Sequence, residues 1–149
     1  MRILSLDFGS RCGWAISDGN DVESGVWQIA PQRGESPGMR YVRLRGCLNT
    51  LLAAYPDLAA VYYEQAHHRG GAATEYAVGC ATASQAWCAE KGIDHAAVHS
   101  ATIKKHATGL GNASKAAMVA AMQAKGHAVG DDNEADALAL LHWALAQGV

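Results

Sequence analysis

The stretch that most constrains the fold is residues 2–18, RILSLDFGSRCGWAISD. Ile3, Leu4 and Leu6 form a short apolar run that stops at Asp7. The turn Phe8-Gly9-Ser10 follows, and the chain becomes apolar again through Gly13-Trp14-Ala15-Ile16. Two apolar strands around a glycine-containing turn read as a β-hairpin. A plain hairpin does not need the carboxylate. An ionised Asp closing a buried strand requires a cation or a set of donors; the simpler alternative is that Asp7 caps the turn through its own backbone.

The remaining strands and helices can be read in order. Val22–Ile29 reads as a third strand with Gly25 as a bulge, and Pro31 to Gly38 as a polar loop. Met39–Tyr55 has mostly helical apolar spacing and is ended by Pro56, with Arg40 and Arg43 on its outer face. Leu58–Tyr63 is a fourth strand, and it too stops on a carboxylate, Glu64. The turn after it carries His67, His68 and Arg69, which suit contact with solvent or DNA phosphate. A long helix spans Ala72–Glu90, with small residues Gly79, Ala83 and Ala86 on one face. That face fits either tight packing within the domain or a dimer interface. Ile93–Val98 is a fifth strand, and Ser100 then N-caps a helix carrying Lys104, Lys105 and His106. Gly109 to Asn112 is a loop without the GKS or GKT ending of a Walker motif. Ala113–Lys125 is an Ala-rich helix, and Lys115 in its first turn opposes the helix dipole, as a surface residue or as one kept for phosphate.

Half of the 149 residues are hydrophobic, which suits one domain over residues 1–149 with a substantial core. No run of eighteen apolar residues occurs and the N-terminus leads straight into a strand, so a cytosolic protein is expected. Cys12, Cys47, Cys80 and Cys88 lack CxxC spacing, which argues against zinc and disulfides. The net charge of −2 conceals a separation of charge. Between His95 and Gly130 there is no acid, yet Lys104, Lys105, Lys115 and Lys125 lie there; Arg33, Arg40, Arg43 and Arg45 form a second basic group. Such a chain can offer basic surface to phosphate while holding its carboxylates together.

Those carboxylates gather in the last helix, which starts near Asp131 and runs to about Ala146. Asp131 with Glu134 reads as a capping box, and acids suit a helix N-terminus. Neither argument explains Asp136, in the second turn beside the apolar run 137–141. On helical geometry Asp132 lies about 40° from Asp136 and Asn133 about 60° to the other side, so either can share its face. Asp132 brings charge and Asn133 does not, so Asp132 is expected to point into the site. Three carboxylates (Asp7, Glu64 and Asp136) within ~5 Å would repel by roughly 3 kcal/mol per pair at an effective dielectric near 20. A divalent cation removes that cost, and Mg²⁺ takes oxygen ligands and shares itself with phosphate oxygens. Two such ions can activate a water and stabilise a departing 3′ oxygen.

The opening hairpin pattern is shared by two families, the ribonuclease H-like nucleases, including RuvC-type Holliday junction resolvases, and the actin-like ATPases. The ATPases need two domains closing on a nucleotide, so the length and the missing second phosphate loop count against that reading. Over nearly its whole length the chain resembles a RuvC-type resolvase of the phage or prophage branch, through LSLDFGSRCGWA, VYYEQ, TIKKHATGLGNASKAAM and DDNEADALALLHWA. The resemblance implies an α/β, ribonuclease H-like fold with a five-stranded mixed sheet flanked by helices. It further implies a homodimer that nicks four-way DNA junctions symmetrically with Mg²⁺, for which Mn²⁺ is expected to substitute. Asp7, Glu64 and Asp136 match the family's metal carboxylates, and Lys104 and Lys115 match lysines near the scissile phosphate and DNA backbone. Two positions depart from the family: Asn133 replaces an acid or His, and His67 replaces an aromatic residue that stacks on a base. A related ribonuclease H-like nuclease acting on flaps, forks or ribosomal RNA precursors is the alternative reading.

Overall fold

The computed structural model describes residues 1–66 and 70–148; the His67, His68 and Arg69 expectations lie outside the described residues. Its strands are β1 (Arg2–Asp7), β2 (Arg11–Ser17), β3 (Val22–Gln28), β4 (Leu58–Glu64) and β5 (Asp94–Val98). They form one mixed sheet in the order β3-β2-β1-β4-β5. β2 pairs antiparallel with β1 and β3, while β4 pairs parallel with β1 and β5. The helices are α1 (Met39–Ala54), α2 (Gly71–Lys91), α3 (Ser100–Thr108), α4 (Lys115–Ala124) and α5 (Asp132–Ala146).

Strand alternation explains why the sheet is covered on both faces. On β1, Ile3 packs into the cluster built by α3, α4 and α5, with Ile103, Met118, Met122, Leu138 and Leu141. Leu4 and Leu6 point the other way, onto Leu44 and Leu48 of α1 and Cys80 and Trp87 of α2. Asp7 falls on the pleat of Ile3, so it faces the α5 side. Tyr62 also packs on that side, edge-on to Trp143 of α5 at 6.3 Å between ring centres. Glu64, two residues further along β4, shares its face. Since Leu6 lies opposite Tyr63 in the parallel register, the two carboxylates follow side by side at the strand ends.

Several local expectations are corrected. Gly25 is not a bulge: β3 pairs with β2 in unbroken register. A Cβ on Gly25 would lie 3.0 Å from the Trp14 indole, so the glycine makes room for Trp14, which stacks on Trp27. α3 is capped by His99, whose Nδ1 accepts from the Ala101 amide at 3.2 Å; Ser100 is its first, buried residue. Asp131 caps α5 by accepting from the Asn133 and Glu134 amides at 2.8 and 3.1 Å. The Glu134 carboxylate, rather than completing a capping box, accepts from the Ser24 hydroxyl at 2.7 Å. Arg43 is not on an outer face but partly buried, donating to Glu35 at 2.6 Å and to the Ala30 carbonyl at 3.2 Å. Gly79 lies against the Tyr41 ring of α1 and Ala83 packs into the same core, whereas Ala86 is exposed.

Candidate active site

The C-terminal ends of β1 and β4 deliver Asp7 and Glu64 to one edge of the sheet, and α5 crosses that edge carrying Asp136. These three and Lys104 of α3 line a small cavity of about 20 Å³ over an apolar floor of Met118 and Leu140. A second cleft of about 130 Å³, lined by Asp7, Phe8, Glu64, Gln65, Ala66 and Ala77, leads from the same carboxylates toward α2. The structure therefore brings Asp7, Glu64, Asp136 and Lys104 together.

The electrostatics follow from crowding in a poorly solvated place. Desolvation, then the charges of Asp136 and Glu64, hold the Asp7 carboxyl well above the usual carboxylate range. Asp136 is pushed up to about 7, first by desolvation and then by Glu64 and Asp132, with Lys104 and Lys115 pulling the other way. Both groups resist ionisation unless a cation balances them. All the acidic donors are carboxylate oxygens, the set that Mg²⁺ and Mn²⁺ prefer. Among the described residues, no three His, Cys, Asp or Glu side chains stand close enough to enclose an ion. Mg²⁺ does not require such a cage, because it keeps several waters and needs only one or two carboxylates directly. The donor chemistry fits a divalent cation; the 20 Å³ cavity has room for about one water-sized body, and the ion's own waters would extend into the 130 Å³ cleft that Asp7 and Glu64 also line.

Asp132 stands at the rim. Its carboxylate lies 3.6 Å from Lys115 Nζ of α4, with the lysine side chain 83% exposed. Its charge is still felt by both Asp7 and Asp136. Asn133 is turned toward the β1–β2 turn, its Oδ1 3.7 Å from where a Gly9 Cβ would be. Lys105 is exposed on α3 and does not line the cavity.

Sequence reasoning missed the clamp that seats α5. Arg11, at the start of β2, donates to the Asp131 carboxylate through Nε at 3.2 Å and Nη2 at 2.8 Å. Together with Ser24 and Glu134, this ties the first turn of α5 to the hairpin. The only available signal was Gly13, which sits in the hairpin motif and leaves space for α5. It missed Tyr76 as well, whose hydroxyl donates to the Gly9 carbonyl and braces the turn that follows Asp7.

No protein-family model matches the chain. The crossover junction endodeoxyribonuclease RuvC of Gluconobacter oxydans (strain 621H) is 35% identical over 124 residues, covering 77% of this chain and 71% of that protein. Among solved structures, T. thermophilus RuvC in complex with a Holliday junction substrate superposes with a TM-score of 0.75 at 19% identity, over 93% of this chain and 89% of that one. A second Thermus thermophilus RuvC structure matches with a TM-score of 0.71 at 19% identity, over 99% and 97% of the two chains. At that identity the structural likeness establishes the fold: a five-stranded mixed sheet with helices on both faces, as expected.

Proposed function

Because the chain belongs to the RuvC family of crossover junction endodeoxyribonucleases, we propose that it resolves four-way DNA junctions by paired, symmetric nicks as a Mg²⁺-dependent homodimer. The observation that carries this reading is the convergence of Asp7, Glu64, Asp136 and Lys104 on one cavity at the sheet edge. In it, Asp7, Glu64 and Asp136 would hold the metal, and Asp132, which lies 3.6 Å from Lys115 Nζ, would supply a fourth carboxylate. When bound, Mg²⁺, or Mn²⁺ in its place, supplies activation of the attacking water and stabilisation of the leaving 3′ oxygen. The protein's own groups do the positioning. Lys104 offers its ammonium to a non-bridging oxygen of the scissile phosphate, and the apolar floor keeps bulk water from the carboxylates. Lys115, Lys105 and the 67–69 segment, with His67, His68 and Arg69, contact the flanking DNA backbone.

Residues 1–149 act in this reading as one nuclease domain. The exposed Val78 and Ala86 of α2 and the outer edge of β5 offer apolar and unpaired surface for the second copy. Among the described residues no helix is long and apolar enough to cross a membrane, and the cytoplasm, where the DNA is, is the proposed location.

Each strand of a synthetic four-way junction can be end-labelled in turn and incubated with the protein, with and without Mg²⁺ or Mn²⁺. A flap, a fork and an RNA–DNA hybrid serve as competitors. Nicks at matching positions on two opposed strands, only with metal, are expected. Preferential cutting of the flap, fork or hybrid would instead support a ribonuclease H-like nuclease of other specificity.

A further inference from the structure

Residues 33–45 hold four arginines, and the structure separates their uses. Arg43 is committed to Glu35 and the Ala30 carbonyl, and Arg45 to Glu90 at 2.5 Å. Arg40 has no such partner. Its guanidinium carbon lies 3.6 Å from the centre of the Tyr76 ring, and among the described residues no carboxylate pairs with it. Its Nε is buried without an acceptor. A cation so placed has its packing provided and its charge unmatched.

The position of this cation gives it a use. β3 runs in the same direction as β1, since both are antiparallel to β2, and it ends at the carboxylate edge. The first turn of α1, with Arg40, therefore stands at that edge, and so does the start of α2. Tyr76 is itself bonded to the Gly9 carbonyl, two residues past Asp7. The 130 Å³ cleft from Asp7 and Glu64 reaches Ala77, the neighbour of Tyr76. Lys104 and Lys115 lie on the α3–α5 face of the sheet; of the α1 arginines on the opposite face, Arg43 and Arg45 are paired with Glu35 and Glu90, and Arg40 has no carboxylate partner among the described residues. A planar guanidinium backed by a ring and lacking an acid presents its outer N–H groups to an oxyanion.

We propose that Arg40, held by Tyr76, forms a phosphate subsite for the DNA backbone on the α1–α2 side of the carboxylate edge. It rests on the reading of this chain as a DNA nuclease, and it makes the substrate track straddle the sheet rather than follow one face.

The test is equilibrium binding of a fluorescent four-way junction and of a plain duplex, in chelator, across a salt series. Arg40→Gln should weaken binding about tenfold and reduce the slope of log affinity against log salt by roughly one unit. Tyr76→Phe keeps the ring and should bind as wild type, whereas Tyr76→Leu should approach the Arg40→Gln behaviour. Arg40→Met retains the packed stem and serves if the Gln variant does not fold. An unchanged slope in whichever Arg40 variant folds, with or without a lower melting temperature, overturns the subsite and leaves Arg40 as a brace between α1 and α2. If wild type shows no preference for the junction but the slope on duplex still falls in the variant, the subsite stands and the junction reading fails.

Discussion

A Cβ placed on Gly13 would run into the backbone carbonyl of Asn133 and come within 3.0 Å of the Glu134 amide nitrogen. The first turn of α5 thus rests directly on β2, with no side chain between. Gly13→Ala must lift that turn, and with it Asp132 and Asp136. We expect a loss on the order of 1–3 kcal/mol in chemical denaturation, and cleavage reduced by more than the unfolded fraction explains. Gly46→Ala in α1, where nothing lies within 4 Å, is the control and should stabilise by about 0.5–1 kcal/mol.

Removing one charge from the carboxylate set separates cutting from binding. Asp7→Asn, Glu64→Gln and Asp136→Asn should each reduce nicking to background while junction affinity holds or rises, because less negative charge faces the phosphates. A variant that still cut at a substantial fraction of the wild-type rate would take its residue out of the metal set.

Proton linkage offers a check without substrate. Asp136 is held up to about 7, above its ordinary value. Relative to the unfolded chain, this carboxyl favours the folded state fully below pH ~4, and the advantage is lost as pH rises through 7. His142 works in the opposite sense. Half-buried beside His127, with the two Nε2 atoms 2.8 Å apart, it is pushed down to about 4 by desolvation and then by the His127 charge, so its contribution fades as pH falls from 6.5. The two slopes oppose each other in the raw melting curve, so the difference between wild type and Asp136→Asn is the useful quantity. In chelator that difference should shift steadily against wild type from pH 4 to 8, and Mg²⁺ should reduce the shift at the upper end. A flat difference would mean that Asp136 titrates normally.

The fourth ligand can be decided by metal titration. Asp132→Asn should raise the Mg²⁺ concentration for half-maximal cleavage by roughly tenfold or more, whereas Asn133→Ala should stay near wild type. The reverse pattern would assign the ion to Asn133.

Lys115 is nearly fully exposed and, among the described residues, is paired only with Asp132. Lys115→Ala should weaken binding to every junction sequence alike and lower the salt slope by roughly one unit. The slope would not move if Lys115 merely decorates a solvated face.

The meeting of Asp7, Glu64 and Asp136 at one edge was legible in the sequence because its signal is local. Asp7 and Glu64 are acids at the ends of apolar strands, and Asp136 is an acid where a helix turns apolar. What escaped were relations between distant segments. Arg11 with Asp131, Ser24 with Glu134, and Tyr76 with Gly9 join different elements, and no spacing rule connects them. Ser24 is also why the expected capping box fails, since a partner across the fold outcompetes the local one. Gly25 looked like a bulge because a glycine in a strand more often marks a backbone irregularity than an indole above it. Gly79 and Ala83 left packing and dimerisation equally open until Tyr41 and the α1 core occupied their face.

The seating of α5 across four strands also bears on when this enzyme first becomes dangerous to a cell. During synthesis, β1 to β4 emerge long before α5, and until α5 docks, Ile3 and Ala15 lack the cover that Leu138 and Leu141 provide. Asp7 at that stage has neither Asp136 nor the enclosing floor of Leu140. Until α5 emerges, the sheet holds only Asp7 and Glu64 of the three carboxylates proposed for the metal, and α5 brings the third, Asp136. Nascent chains stalled before about residue 130 should be unable to nick DNA and open to proteolysis, which ties the onset of activity to the docking of α5 rather than to a separate activating event.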